Sequence, residues 1–384
     1  MAWFDNLVSA FKGGAPSRVP LAPGLAYGSE PAFGSGYTTQ AFQYTKAVRE
    51  GFLTNAIAQR AVRIVAEGIA QSPLSSTDSR LSALIGSTSA GQPLIETLAT
   101  HLLLHGNGFV QISKDASGEP VELFALRPDR VTIVADDNGW PCAIDYETGA
   151  QKQRIAMTDE DGWPAIVQIK AMHPLHDHYG AGALEAAHQA VTIHNAASAW
   201  NRALLENAAR PSGALVYDAG DGAGLTTDQF DRLKTELNSA FAGSGNAGRP
   251  MLLDGGLKWQ SMALSPSDMD FATLKSAAAR EIALAFGVPP MLLGLPGDNT
   301  YSNYREANRA LWRLTLLPLA SKLLSAIGEG LSPWFADAKL SVDLDLVPAL
   351  SEDRERLWKQ VSDADFISRE EKRQMLGIDP KESA

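Results

Sequence analysis

The sequence has almost no cysteine. Cys142 is the only one among its 384 residues, so an internal disulfide is excluded. The start of the chain carries Asp5 where a secretion signal would carry early positive charge. We therefore expect a chain that folds in a reducing cytoplasm and is not secreted.

A positive net charge is also missing. The chain has 33 Lys and Arg against 44 Asp and Glu, which gives a formal net charge of −11. The basic residues are dispersed, and no run of them is longer than Lys372-Arg373. This distribution excludes a strong basic field of the kind that binds nucleic acid tightly and without specificity. Any DNA that the protein contacts should be held loosely.

No long apolar run is free of charge. The most apolar stretch, 311–331, is interrupted by Arg313, Pro318, Lys322 and Glu329. Charged side chains at these positions are costly in a bilayer core of about 30 Å. The sequence therefore predicts no membrane partner.

What is present is enough apolar sequence for one large core or two to three smaller ones. Hydrophobic residues make up 45% of the chain, and their spacing predicts an α+β protein. An amphipathic start and a Gly/Pro/Ser-rich run form an arm up to about residue 45. Helices are predicted at 45–69 (one, or two broken near Gly51), 93–104, 183–209, 227–241, 268–286, 301–327 with a kink at Pro318, 351–361 and 368–376. Strands are predicted at 109–113, 121–126, 130–135, 141–146, 165–170, 212–217, 250–259 and 340–346.

A glycine-rich segment raises the possibility of nucleotide binding. Residues 243–248 satisfy the GxGxxG pattern and nearly satisfy a phosphate-loop pattern. Both phosphate loops need a strand before them and a helix after, so that free helix N–H groups point at the phosphate. Here a helix precedes and a strand follows, and Arg249-Pro250 replaces Lys-Ser/Thr. The order favours a flexible turn, and no cofactor is expected.

Metal-dependent or nucleophilic chemistry has weak candidates. His173, His176 and His178 lie close in sequence but fit no metal motif, and they favour a loop at a subunit contact. His101 and His105 share a helix face without a third ligand. Asp pairs at 268/270, 343/345 and 363/365 could hold magnesium for a nuclease, yet such pairs arise by chance in an acidic chain. Cys142 has no nearby His, and no GxSxG occurs, so no enzyme is predicted.

Residues from Arg280 onward carry a resemblance to a known family. The segment Arg280-Glu-Ile-Ala is followed by 286–294 (FGVPPMLLG), by 300–303 (TYSN) and by a helix that ends near Pro318. This arrangement resembles the portal (head-tail connector) proteins of long-tailed bacteriophages and gene-transfer particles. Shorter stretches agree in order: 66–74 (AEGIAQSPL), 103–109 (LLHGNGF), 126–131 (LRPDRV) and 207–215 (NAARPSGAL). The resemblance extends from about Val48 to Ser332.

The resemblance implies a portal fold and assigns each segment a place in it. After an arm at 1–45, it implies an α/β wing (46–182 and, with the long kinked helix, 301–350), two stem helices (183–209 and 266–287), an inserted β-α-β clip (210–265), a tunnel loop (288–300) and a short C-terminal crown (351–384). The implied tunnel lining is Asp298, Asn299, Thr300 and Tyr301. The implied clip residues that contact terminase or the adaptor are Arg210, Arg232, Lys234, Arg249 and Lys258.

The implied function is structural. A homo-oligomeric ring, usually a dodecamer in this family, would occupy one capsid vertex of a virion or phage-like particle. It would contact the major capsid protein, the large terminase and a head-completion adaptor, and would pass double-stranded DNA during packaging and ejection. Two alternatives remain at this point: a metal- or nucleotide-dependent phage DNA-processing enzyme, and another ring-forming neck or tail protein. The second would lack the paired stem helices.

Overall fold

A computed structural model describes residues 42–206, 213–217, 226–241, 257–261, 271–297, 300–336 and 339–377. The chain divides into two compact units. One contains Ile69–Gly182 and Leu319–Asp343; the other contains Tyr44–Gly68, Ala183–Pro318 and the residues from Leu344 onward. We refer to them as the sheet unit and the helical unit. The division between them falls inside two helices, at 68/69 and at 318/319.

The core of the sheet unit lies between two antiparallel three-stranded sheets. The first has the order β5-β4-β9 and the second β6-β7-β8. Phe109 and Ile166 from the first sheet pack with Ile133 and Ile144 from the second, and all four are buried. The strands are β4 (Asn107–Lys114), β5 (Pro120–Leu126), β6 (Val131–Ala135), β7 (Pro141–Thr148), β8 (Gln151–Ala156) and β9 (Ile166–Lys170).

Short elements surround these sheets. Strand β1 (Leu74–Ser76) pairs with the distant β12 (Leu340–Val342), and β2 (Thr88–Ser89) pairs with β3 (Gln92–Pro93). Helix α3 (Ser79–Ile85) begins at Asp78, whose carboxylate accepts a hydrogen bond from Arg80 N–H. Helix α4 (Leu94–His105) packs on β4 and β5 and ends at Gly106, which adopts the left-handed conformation.

A buried asparagine secures the chain where it leaves the sheet unit. Asn107 is fully buried, its Oδ1 accepts a hydrogen bond from Gly180 N–H, and its Nδ2 donates to Gly180 O. Gly106 O accepts a further bond from Ala171 N–H, and Gln168 donates to His178 O. Because a buried amide is costly unless it is paired, this network fixes the loop 171–182 against the end of α4.

The helical unit begins with the interrupted helix that the sequence predicts around Gly51. Helix α1 (Tyr44–Val48) leads into a π-helical turn, Arg49–Leu53, and α2 (Ala56–Ala70) follows. Asn55 is buried between them: its Oδ1 caps the N–H groups of Ile57 and Ala58, and its Nδ2 donates to Asn195 Oδ1. Gly51 lies against Leu184, so near that an added Cβ would be 2.7 Å from Leu184 Cδ1.

Two long helices pack against each other, as predicted. They are α5 (Ala183–Glu206) and α7 (Phe271–Ala285). Trp200, near the end of α5, stacks on Phe271 at the start of α7, with ring centroids 5.7 Å apart. His194, one to two turns earlier on α5, lies near Lys275, whose charge adds to burial in lowering the pKa of His194. The pair therefore runs antiparallel, and both helices bury alanines, such as Ala190 on α5 and Ala279 on α7, whose small side chains allow close packing.

Between these two helices the chain forms a strand, a helix and a strand. Strand β10 (Gly213–Tyr217) pairs antiparallel with β11 (Leu257–Ser261), and α6 (Thr227–Phe241) lies between them in sequence. Gln229 accepts hydrogen bonds from the N–H and hydroxyl of Thr226 where α6 begins. The predicted strand-helix-strand order is correct, although the predicted second strand, 250–259, is observed at 257–261 and its first residues lie outside the described part of the chain.

The long helix predicted at 301–327 consists of α8 (Tyr301–Leu311), a π-helical turn (Trp312–Leu316) and α9 (Leu317–Leu331). Proline has no N–H and its ring collides with the carbonyl one turn earlier, so Pro318 interrupts regular helical bonding where the π turn stands. In the sheet unit, α9 buries Leu323, Leu324 and Ile327, and Gly330 faces Val167.

Among the described residues, 301–331 is the one helical stretch whose length and composition would permit a membrane crossing. Several of its side chains have partners within the protein: Arg309 is paired with Glu352, and Lys322 donates to Lys170 O. The buried leucines of α9 are likewise explained by packing.

The C-terminal strand is shorter than predicted. The alternation from Leu340 to Leu346 predicts one strand, but only β12 pairs, and 3-10 turns follow at Leu344–Leu346 and Pro348–Leu350. Asp343 N–H still donates to Pro73 O, yet Pro73 has no N–H to return the bond, so the ladder ends there. Helices α10 (Ser351–Asp363) and α11 (Arg369–Met375) complete the unit, α11 with a capping box from Ser368 and Glu371.

Candidate functional site

The segment that links α7 to α8 is anchored at its first residues. Phe286 and Val288 are buried, and Gly287 between them has φ +66°. Thr315, in the π turn, donates its hydroxyl to Gly287 O at 2.7 Å. A Cβ at Gly287 would lie 2.6 Å from Thr315 Oγ1, so both the backbone conformation and the close approach require glycine.

A second anchor holds the segment further along. A 3-10 turn, Pro290–Leu293, packs against both α7 and α8 and ends at Gly294 in the left-handed conformation. The Arg280 guanidinium, on α7, then donates a hydrogen bond to Pro296 O. The segment therefore folds back along α7 before it reaches α8. The sequence offered no signal for Arg280 or Thr315 as anchors, because both are ordinary helix residues separated from their partners by a turn.

Two of the four predicted tunnel residues can be located. Asp298 and Asn299 lie outside the described residues. Thr300 is the N-cap of α8, where its hydroxyl accepts a bond from Asn303 N–H at 3.3 Å. Tyr301 is the first residue of α8 and is 80% exposed, with the Arg305 guanidinium 5.7 Å from its ring centre. Their contact with DNA remains a prediction.

Three of the five predicted clip residues can be located. Arg232 and Lys234 are exposed on α6, and Lys258 is exposed on β11 opposite Val216. Arg210 and Arg249 lie outside the described residues, as does the glycine-rich segment 243–248. The three visible cations lie on the module between the two long helices, and their binding role remains a prediction.

Four acidic and basic side chains connect α8 to α10. Arg309 donates to Glu352 at 2.6 Å and lies 3.6 Å from Asp353, while Arg305 donates to Glu352 at 2.7 Å. The hydrogen bond to Glu352 and the nearby carboxylates raise the pKa of Arg309 above its usual value. This network fixes the start of α10 against the helix that follows the anchored segment. Because the ions are partly exposed, each pair should contribute less than a buried one.

The histidines and aspartates weighed as candidates for metal chemistry do not come together among the described residues, and the pair Asp268/Asp270 lies outside them. Within the described ranges, no group of three or more His, Cys, Asp or Glu side chains could hold a metal ion. His173 Nδ1 accepts a bond from Leu175 N–H instead. Burial, with a smaller contribution from His105, lowers the pKa of His101 to about 4. Asp345 is engaged by Arg354 and Trp358, and the bond from Arg354 lowers its pKa.

Comparisons with known proteins bear on this arrangement. The family model described as "Phage portal protein" matches residues 56–377. An uncharacterized protein of Rickettsia bellii (strain RML369-C) is 37% identical over 358 residues, which are 88% of this chain and 91% of the relative. A chain from the virion of a native gene transfer agent (GTA) particle is 46% identical with a TM-score of 0.67, and the match covers 91% of this chain and 97% of the other. A chain from the neck of a native GTA particle, computed with C12 symmetry, is 47% identical with a TM-score of 0.67, over 88% and 94% of the two chains.

The antiparallel helix pair, the strand-helix-strand module between its members and the anchored segment after it define the class: a structural component of phage-like particles. Within this class, the chain belongs to the phage portal protein family. The family and the α+β portal fold expected from the sequence are both confirmed. The boundaries given to wing, stem, clip, tunnel loop and crown remain predictions.

Proposed function

We propose that the protein forms a twelve-membered ring at one vertex of a phage or gene-transfer particle and that double-stranded DNA passes through this ring. The observation that carries the proposal is the 47% identity, over 88% of the chain, to a protein in a particle neck computed with C12 symmetry. Electron microscopy of the purified protein tests it. Rings with twelve-fold symmetry are expected, and a chain that stays monomeric under all assembly conditions would contradict the proposal.

The segment that links α7 to α8 contributes the narrowest part of the channel in this proposal. Two observations support the assignment: the anchors fix the segment as far as Pro296, and Tyr301, at the start of α8, is exposed. The chain's net charge of −11 suits a conduit, since a strongly basic lining would retain DNA. Replacing residues 297–299 by a single glycine should leave rings intact and impair DNA packaging or retention. If the variant packaged and retained DNA as well as wild type, the segment would not form the narrowest part of the channel.

The β10-α6-β11 module is the proposed contact for the large terminase and the head-completion adaptor. Arg232, Lys234 and Lys258 are exposed on it, and acidic partners could use them. The triple substitution of these residues by Glu should preserve rings but lower packaging by the terminase. Lys359→Glu on α10 is a matched control, exposed and outside the module. Equal packaging by both variants would argue against this docking surface. The proposed contact with the major capsid protein has no assigned residues.

A further inference from the structure

Three turns of the sheet unit share one sequence pattern, with Asp first, Gly fourth and Pro sixth. The pattern occurs at 115–120 (DASGEP), 136–141 (DDNGWP) and 159–164 (DEDGWP). In all three, the glycine adopts the left-handed conformation, with φ between +80° and +84°. A three-residue hairpin loop that ends in such a glycine is a common connection between antiparallel strands. The three segments therefore form the same turn.

The same hydrogen bonds hold each of these turns. In the second turn, Asp136 Oδ1 accepts a bond from Asn138 N–H at 2.9 Å and one from Trp140 N–H at 2.8 Å. Gly139 N–H donates to Asp136 O at 2.9 Å. The third turn repeats these bonds with Asp161 in the place of Asn138. The turn therefore accepts either an amide or a carboxylate as its third side chain.

The second turn contains one of the two Asn-Gly pairs in the sequence. The main-chain nitrogen of Gly139 can attack Cγ of Asn138 and close a five-membered succinimide ring. The proton of Gly139 N–H and the side-chain NH2 leave together as ammonia. Water then opens the ring at one of its two carbonyl groups and gives aspartate or isoaspartate. Glycine hinders the attack least, because it has no Cβ next to the nitrogen.

The other pair, Asn107-Gly108, lies in the interior of the sheet unit. Asn107 is fully buried, and its amide is bonded to both backbone groups of Gly180. Gly108 is buried in β4, where it pairs with Ile169 of β9. Attack at Asn107 therefore requires the sheet to open, whereas Asn138 is exposed at the end of a hairpin that can open locally.

We propose that Asn138 is a site of spontaneous deamidation in the folded protein and that the buried Asn107 is not. The inference does not depend on the proposed ring. Reaction at Asn138 still requires the bond from Gly139 N–H to Asp136 O to break, so it should be slower than in the unfolded chain. Deamidation adds one negative charge next to Asp136 and Asp137, so the turn would carry three carboxylates in succession.

The two products should differ in their effect on the turn. Aspartate at position 138 should preserve it, because Asp161 occupies the same place in the third turn with the same hydrogen bonds. Isoaspartate instead places one additional carbon in the main chain between the two N–H groups that share Asp136 Oδ1. Both bonds cannot then keep their geometry, so isoaspartate should open the end of the β6–β7 hairpin.

The test is incubation of the wild-type protein in mildly alkaline buffer, both folded and in urea, until Asn138 has reacted in urea. Peptide mapping by mass spectrometry follows both Asn-Gly pairs in the same digest, and labelling by isoaspartyl methyltransferase identifies isoaspartate. In urea the two pairs should react at similar rates. In the folded protein, Asn138 should react at least about tenfold faster than Asn107. A folded-state rate at Asn138 no higher than that at Asn107 would overturn the inference.

Two variants and a proteolysis experiment test the role of the turn. Asn138→Ser copies the first turn, which has Ser117 in this place, and should abolish the reaction there while Asn107 still reacts in urea. Asn138→Asp should unfold at the same urea concentration as wild type. In limited proteolysis of the incubated protein, chains with isoaspartate should be cut first between β6 and β7. Equal isoaspartate content in cut and intact chains would overturn the predicted opening of the hairpin.

Discussion

Replacing Gly287 by alanine should destabilise the protein through two separable effects. The first is conformational: a side chain at φ +66° costs about 1–2 kcal/mol. The second is steric, because the new Cβ would lie 2.6 Å from Thr315 Oγ1 and 3.2 Å from its Cγ2. Forcing a methyl into such a site costs about 1–3 kcal/mol. We therefore expect a loss of about 3 kcal/mol in the free energy of unfolding.

Gly294 provides the matched control. It has φ +72°, but a Cβ there meets no atom within 4 Å. Gly294→Ala should therefore show only the conformational cost, about 1–2 kcal/mol. The benefit of alanine in the unfolded chain is common to both variants and cancels in the comparison. Urea denaturation at one protein concentration, with the oligomeric state checked by sedimentation, measures both values.

A double-mutant cycle with Thr315→Ala identifies the contact. Alone, this substitution removes one hydrogen bond and should cost about 1 kcal/mol. Combined with Gly287→Ala, it also removes the atoms that collide with the new methyl, so the double variant should lose clearly less than the sum of the two single losses. Two results would refute the steric argument. One is a loss in the double variant that equals the sum of the two single losses within about 0.5 kcal/mol. The other is an equal loss in the free energy of unfolding for Gly287→Ala and Gly294→Ala.

Three further predictions concern the sheet unit. The pKa of His101 falls from 6.5 in the unfolded chain to about 4 in the folded one, so the unfolded chain binds the proton first as the pH drops. The free energy of unfolding should therefore decrease by about 3 kcal/mol between pH 6.5 and 4. In urea titrations over a series of pH values, His101→Leu should flatten this decrease. An unchanged slope would show that His101 is not the group responsible. Asn107→Ala should lower the free energy of unfolding by about 3 kcal/mol, because the N–H and the C=O of Gly180 both lose their hydrogen-bond partner. A loss of less than about 1 kcal/mol, measured by urea titration, would contradict this prediction. Trp334→Phe should lower the free energy of unfolding by about 1 kcal/mol, because it removes the indole hydrogen bond to Gly118 O at 2.8 Å but keeps an aromatic ring beside Lys114. In thermal unfolding, the melting temperature should fall less for Trp334→Phe than for Trp334→Ala. Equal falls for the two variants would contradict this prediction.

Short apolar runs between turn residues predicted strands β4 to β7 and β9, because each of these strands has several buried residues. Strand β8 was missed: Gln151, Lys152, Gln153 and Arg154 are all exposed, so no apolar alternation marks it. The strand pairs through its backbone, and Arg154 and Lys152 pair with Asp145 on β7. Cross-strand ion pairs of this kind leave no signal in a hydrophobicity pattern.

The helical unit shows a different limit. Gly51 and Pro318 predicted where the two helices are interrupted, but not that each interruption is a π turn or that Leu184 packs against Gly51. The candidate site was recognised from the segment around Gly287, since only a resemblance gave it a function. The anchors Arg280 and Thr315 could not be predicted, because their importance arises from contacts between residues 16 and 28 positions apart in sequence.

The order in which the two units use the chain has a consequence for biosynthesis. Strand β1 leaves the ribosome long before β12, its partner in the described structure, and α9 completes the sheet unit only after most of the helical unit has been made. The sheet unit therefore cannot finish folding until β12 has been made, and a nascent chain released before residue 340 would expose the unpaired edge of β1. Prematurely terminated products should be cleared by proteases or aggregate, which would keep incomplete subunits out of a growing particle.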